Sequence, residues 1–129
     1  MNAPMIPASW GEVLDKISIL EIKQARITNP AALANVRQEL QALAQVVAAA
    51  LPASAPLDAL RAALRQVNEA LWDVEDALRD KERAQSFDEG FITLARSVYR
   101  LNDERARTKR QINELTRSAL VEEKSYQPY

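Results

Sequence analysis

The stretch "RLNDERARTKRQIN", residues 100–113, puts Asn102, Arg105, Thr108 and Lys109 where the helical rhythm of the chain calls for apolar side chains. Arg105 falls on the apolar seam itself. A guanidinium taken out of water is costly unless a partner neutralises it and its N–H groups are hydrogen-bonded. Two arrangements suit such a group. It can hold a carboxylate in a satisfied structural network, or it can offer a rigid fork of donors to an anionic ligand. Arg96 and Lys109 lie on the same segment and add donors to the second arrangement.

A second polar stripe lies one position beyond each apolar seam. In the third helical segment it reads Asn68, Trp72, Glu75, Arg79 and Glu82; in the fourth it reads Tyr99, Asn102, Ala106, Lys109 and Asn113. Steps of three and four keep each stripe on one side of its helix. Folding the two segments into a hairpin near residue 86 sets Glu75 near Tyr99, Trp72 near Asn102 and Asn68 near Arg105. Arg105 is therefore expected to pair with an acid of helix three, Glu75 or Glu69 first, or with an acid of the tail. The candidate ligand-binding residues are Asn68, Trp72, Glu75, Arg96, Tyr99, Asn102, Arg105 and Lys109.

A plainer reading competes. Residues 69–82 carry six acids against two bases, and residues 96–117 carry seven bases against three acids. Oppositely charged helices fix register in this way, and exposed pairs contribute only ~0–1 kcal/mol each. Trp72, Phe87, Phe91 and Tyr99 serve equally well as core filler. A carboxylate-bound metal is a third option, with oxygens from Glu75 and Asp76 or from Asp73 and Asp76. The di-iron bundle pattern Glu-x-x-His is ruled out by the lack of histidine, and "EALWDVED" does not reproduce the paired carboxylate motifs of helical NTP pyrophosphatases. No catalytic residue, metal or cofactor is assigned.

Composition narrows the classes further. With no cysteine and no histidine there is no Cys/His zinc site, no histidine general base and no nucleophile paired with histidine. Gly11 and Gly90 are the only glycines, so a P-loop or dinucleotide fingerprint is absent. The net charge of −1 lacks the basic excess of a nucleic-acid binder, and no nucleic-acid partner is expected.

The elements that must position these groups are helical. Ser9 with Glu12 makes a capping box ahead of Val13, Leu14, Ile17 and Leu20. Asn29 and Pro30 suit the cap and first turn of a second helix with Leu33, Val36, Leu40, Leu43 and Val47 on one face. After the linker "LPASAP" a third helix repeats Leu57, Leu60, Leu64, Val67, Leu71, Val74 and Leu78. Ser86 and Glu89 form a second capping box before Phe87, Phe91, Leu94, Val98 and Leu101. The expected helices are 10–27, 30–50, 57–84 and 87–117, with an extended tail over 118–129, solvated or pinned on the bundle by Tyr126. The expected fold is all-α: one domain over 1–129, an up-down bundle of about four helices with a long antiparallel hairpin of helices three and four, packed at roughly 20°. A helical hairpin pairing through a dimer is the competing architecture.

"MNAPMIPASW" lacks the basic and apolar regions of a signal peptide, and "ALAQVVAAAL" is far shorter than the ~20 residues of a membrane span. A cytoplasmic protein without membrane insertion is expected.

"GEVLDKISILEIKQARI", "LWDVEDALRDKE", "FDEGFITLARSVYRLNDERARTKRQIN" and "VEEKSY" together resemble a bacterial all-helical family classed as a domain of unknown function. Some such segments are associated with glycosyltransferase or surface-polysaccharide proteins. The resemblance covers nearly the whole chain and implies no established reaction. A looser likeness to the all-helical chorismate mutases is at fold level only, because their N-terminal Arg followed by an Ile-Asp pattern is missing. These readings converge on a small helical binding domain for an anion or a partner protein. The alternative is a histidine-free enzyme that stabilises a phosphorylated or carboxylated metabolite with Arg105, Arg96 and Lys109. A symmetric homodimer is expected, because the hairpin tip with Phe87, Phe91 and Ile92 extends beyond helix two.

Overall fold

The computed structural model describes all 129 residues. It contains four helices and no strand: α1 (Trp10–Arg26), α2 (Pro30–Ala50), α3 (Ala55–Arg83) and α4 (Glu89–Thr116). Each start has a chemical cause. The Ser9 hydroxyl accepts from the Glu12 N–H, and the Asn29 side chain accepts from Ala32 N–H with Pro30 in the first turn. The α3 helix starts two residues earlier than the sequence suggests, because Ser54 caps it and Pro56 fits its first turn. The α4 helix starts two residues later. Its cap is Asp88 and not Ser86: the Asp88 carboxylate accepts from the Phe91 N–H and is clamped by Lys81. That company holds Asp88 near a pKa of about 2, chiefly through the Lys81 hydrogen bond.

The long hairpin of α3 and α4 is the frame, and α1 lies against both of its arms. The helix α2 packs by its backbone against α1 alone. Leu14 and Ile17 of α1 meet Leu57, Leu64 and Val67 of α3 and Ile112 of α4 in one core, with Leu40, Leu43 and Val47 of α2 closing it from outside. The bundle is thus three helices around a core with α2 laid on α1. Val36 is the one buried residue of α2.

Lengths decide the rest of the shape. The α1 helix has 17 residues and α3 has 29, so at 1.5 Å per residue they span ~26 Å and ~44 Å. The last residue of α1, Arg26, reaches Asp73 of α3. Beyond that point α3 and α4 project as a two-helix arm. Its tip carries Phe87 and Phe91 edge to face, with Phe87 53% and Ile92 48% exposed. Met5 and Ile6 are exposed as well, and Trp10 lies at the opposite end beside Ser118, so the N-terminal segment does not cover the tip.

Candidate functional site

The start of α1 docks on the end of α4. Trp10 N–H donates to the Ser118 hydroxyl at 2.7 Å, and Gly11 N–H donates to Asn113 Oδ1 at 2.7 Å. Two of the donors that every helix start leaves unpaired are thereby satisfied inside the fold. The approach is so close that a Cβ on Gly11 would sit 2.6 Å from the Lys109 carbonyl oxygen. Only glycine fits there.

One turn further along, Asp15 points into the bundle with its side chain 2% exposed. Arg105 of α4 grips it with two donors: Nε reaches Oδ1 at 2.9 Å and a terminal nitrogen bonds Oδ2. Asn68 of α3 donates to the same Oδ1 at 2.9 Å and to the Ser18 hydroxyl at 2.7 Å, which itself donates to the Asp15 carbonyl. One carboxylate thus ties α1, α3 and α4 together. The hydrogen bond to Asp15 raises the Arg105 pKa further above its ordinary value, against the effect of burial.

Lys109 extends the network. Its side chain is 8% exposed, with Glu12 at 3.2 Å and Glu122 of the tail at 2.6 Å. Burial pushes this ammonium's pKa down, but the bonds to Glu122 and Glu12 outweigh it and the net shift is upward. The same pairing holds Glu122 below the usual carboxylate range. No fully buried side-chain nitrogen or oxygen is left without a partner.

Chemically this is a closed anchor. Asp15 lies out of solvent with both oxygens engaged, and the Arg105 fork is committed to it. The outer edge of Arg105, 28% exposed, lines a shallow cleft of about 360 Å³ between α1 and α2. That cleft holds Lys16 and Lys23 but also Glu12 and Glu39, so its charges are mixed.

The eight residues singled out in the sequence do not converge on one pocket. Asn68, Arg105 and Lys109 share the network above. The acid expected for Arg105 from helix three or the tail is instead Asp15 of α1, because α1 lies over the groove where the two polar stripes meet. Trp72 lies under Arg26, whose guanidinium is 5.6 Å from the ring centre. Tyr99 and Asn102 line a groove beneath the tail, where the rings of Tyr99 and Tyr129 pack at a tilt with their centres 4.8 Å apart. Glu75 and Arg96 are exposed on the arm. The tail is pinned by Tyr129, whose hydroxyl donates to Asp103 at 2.7 Å, while Tyr126 stays exposed.

Asp15, Ser18, Gly11 and Asn113 were not among the candidate residues, although Asn113 stands on the polar stripe of the fourth helical segment. A signal was present. Ile19 and Ile22 flank Asp15 on the helix surface, so the apolar surface of α1 extends past the Val13, Ile17 and Leu20 stripe, while Glu12 and Lys16 stay exposed. Any acid within it must then find a partner.

A model of the DUF6165 family, a family of unknown function, matches residues 5–129. The chain belongs to that family. Neither the curated proteins nor the solved structures give a match. The matched span takes in all four helices and the tail that reaches Lys109, so the family description covers the whole network. No helix is long and apolar enough to cross a membrane.

Proposed function

We propose that this chain is a binding domain that performs no covalent chemistry, with the projecting α3–α4 arm as its docking face and a second copy as the occupant. The observation that carries the reading is the arm itself. It leaves α1 behind and exposes Phe87 and Ile92 beside the half-buried Phe91, Leu94 and Val98. Charge supports a self-complementary pairing. On α3, Glu75 and Asp76 have no ion-pair partner in the chain, and neither has Arg96 on α4. Two arms packed antiparallel about a two-fold axis bring Glu75 and Asp76 of one toward Arg96 of the other, giving a four-helix bundle. Sedimentation over a range of concentrations tests this. A dimer lost in Phe91→Glu is expected; a 14.4 kDa species at high concentration, unchanged by that substitution, overturns the reading.

A small anion is the second reading, favoured by the open edge of Arg105 beside Lys23 in the α1–α2 cleft. An anion present at a hundred times its dissociation constant would stabilise the fold by ~2.7 kcal/mol. Thermal shift against phosphate, nucleotides and sugar nucleotides measures it, and a uniform absence of shift removes this reading. The proposed setting is the cytoplasm, which fractionation would test. The likeness to bacterial segments associated with glycosyltransferase or surface-polysaccharide proteins makes such a protein a candidate neighbour.

A further inference from the structure

Residues 119–129 make no backbone–backbone hydrogen bond. Arg117, in the left-handed region at φ 53, turns the chain at the end of α4, and the tail runs back along that helix. Side chains alone hold it. Glu122 meets Lys109, Glu123 meets Arg110 at 3.1 Å, and Tyr129 bonds Asp103 while its ring lies between Tyr99 and the Arg100 guanidinium. Between tail and helix a cavity of about 890 Å³ stays open, lined by Val98, Tyr99 and Asn102 on one side and Lys124 and Tyr126 on the other. The tail spans this groove without filling it. The Glu123–Arg110 pair is exposed, and pairs of that kind contribute only ~0–1 kcal/mol each.

We propose that this groove of α4 is a docking site for an extended acidic segment of another protein, and that the chain's own tail occupies it as a stand-in. The groove's chemistry specifies the segment. Lys109 and Arg110 take two adjacent carboxylates, and Tyr99, Arg100 and Asp103 take a tyrosine six residues further on. This is the spacing of Glu122, Glu123 and Tyr129. A ligand that displaces the tail packs on Val98, Tyr99 and Asn102 of α4, the wall that remains once the tail has lifted. It reads the groove only in molecules whose tail has lifted, so its apparent affinity is reduced by that fraction. The inference does not rest on pairing of the arms.

A fluorescein-labelled peptide with the sequence of residues 118–129 is the probe, with a scrambled peptide of equal composition beside it. Each is titrated by anisotropy against the wild-type chain and against the full-length variant Glu122→Lys/Glu123→Lys/Tyr129→Ala. The variant should bind the probe at least about tenfold more tightly than wild type, because its groove is unoccupied. Arg110→Glu added to that variant should remove the gain. Equal affinity for variant and wild type, or for probe and scrambled peptide, overturns the proposal. If the triple variant loses its helical circular dichroism, Tyr129→Ala alone is titrated, and no gain there overturns it too. Dimerisation that survives Phe91→Glu but vanishes with Glu122→Lys/Glu123→Lys would assign the groove to a second copy's tail and also overturn it.

Discussion

Asp15 and Arg105 stand 90 positions apart in the chain and meet in a two-donor fork, with Asn68 completing the shell around the carboxylate. Breaking a buried pair by removing one partner costs more than the pair itself contributes, because the remaining charge is stranded. Arg105→Ala leaves Asp15 out of water with Asn68 as its remaining side-chain donor. The expected loss is ~3 kcal/mol, toward the low end for buried pairs because Arg105 keeps some contact with solvent. Asp15→Ala should cost a similar amount. Urea unfolding measures both, and a change below ~0.5 kcal/mol, the level of ordinary surface substitutions, would make the fork a surface contact.

Gly11→Ala should destabilise by ~1–3 kcal/mol, the range for overpacking a close contact. The obstacle is the Lys109 backbone carbonyl, which cannot swing aside as a flexible side chain would. Asn113→Ala should fall in the same range by leaving the Gly11 N–H without its partner. Thermal melts of the two variants check both figures. An unchanged midpoint for Gly11→Ala would mean that α1 and α4 stand further apart than described.

The tail should be held only within a pH window. Glu122 is held below its ordinary value of 4.5 chiefly by its bond to Lys109. Its contribution is therefore present above 4.5 and lost as pH falls through the folded value. Lys109, on balance above 10.5, and Tyr129, raised above 10.0 by its bond to Asp103, contribute below those values and lose that contribution as pH rises through their folded pKa values. Ring-proton shifts of Tyr129 followed by NMR should move at both edges of this window. Helical circular dichroism recorded beside them separates tail release from unfolding. Shifts that stay flat until the helices melt would mean the carboxylate does not hold the tail.

Charge reversal tests the arm pairing without touching its apolar face. Glu75→Arg and Arg96→Glu should each weaken the dimer in sedimentation, and the double substitution should recover part of the loss. Coupled residues give such non-additive cycles, typically of 0.5–3 kcal/mol. Additive losses would place the two residues outside a shared interface.

The helices and several of their caps were legible in the sequence, because both follow from local chemistry. Steps of three and four among Leu57 to Leu78 need a helix, and Ser9 and Asn29 carry the side chains that start one. The anomaly at Arg105 was legible too, as a charge on an apolar seam. Its partner was not. A hairpin of α3 and α4 taken alone directs Arg105 toward Glu75 or Glu69, and nothing local says that α1 takes the groove. Asp15, one step off an apolar stripe, is marked only by Ile19 and Ile22 beside it, too little to set it apart from an exposed acid before three helices close around it. The path of the tail was also undecided, since a segment without period or backbone hydrogen bonds is placed only by the side chains it meets. Periodicity and capping act within a few residues and are written in the chain. The pairing of Asp15 with Arg105, the fit of Gly11 on α4 and the bare arm beyond α1 depend on how helices of unequal length pack, and only the tertiary structure decided them.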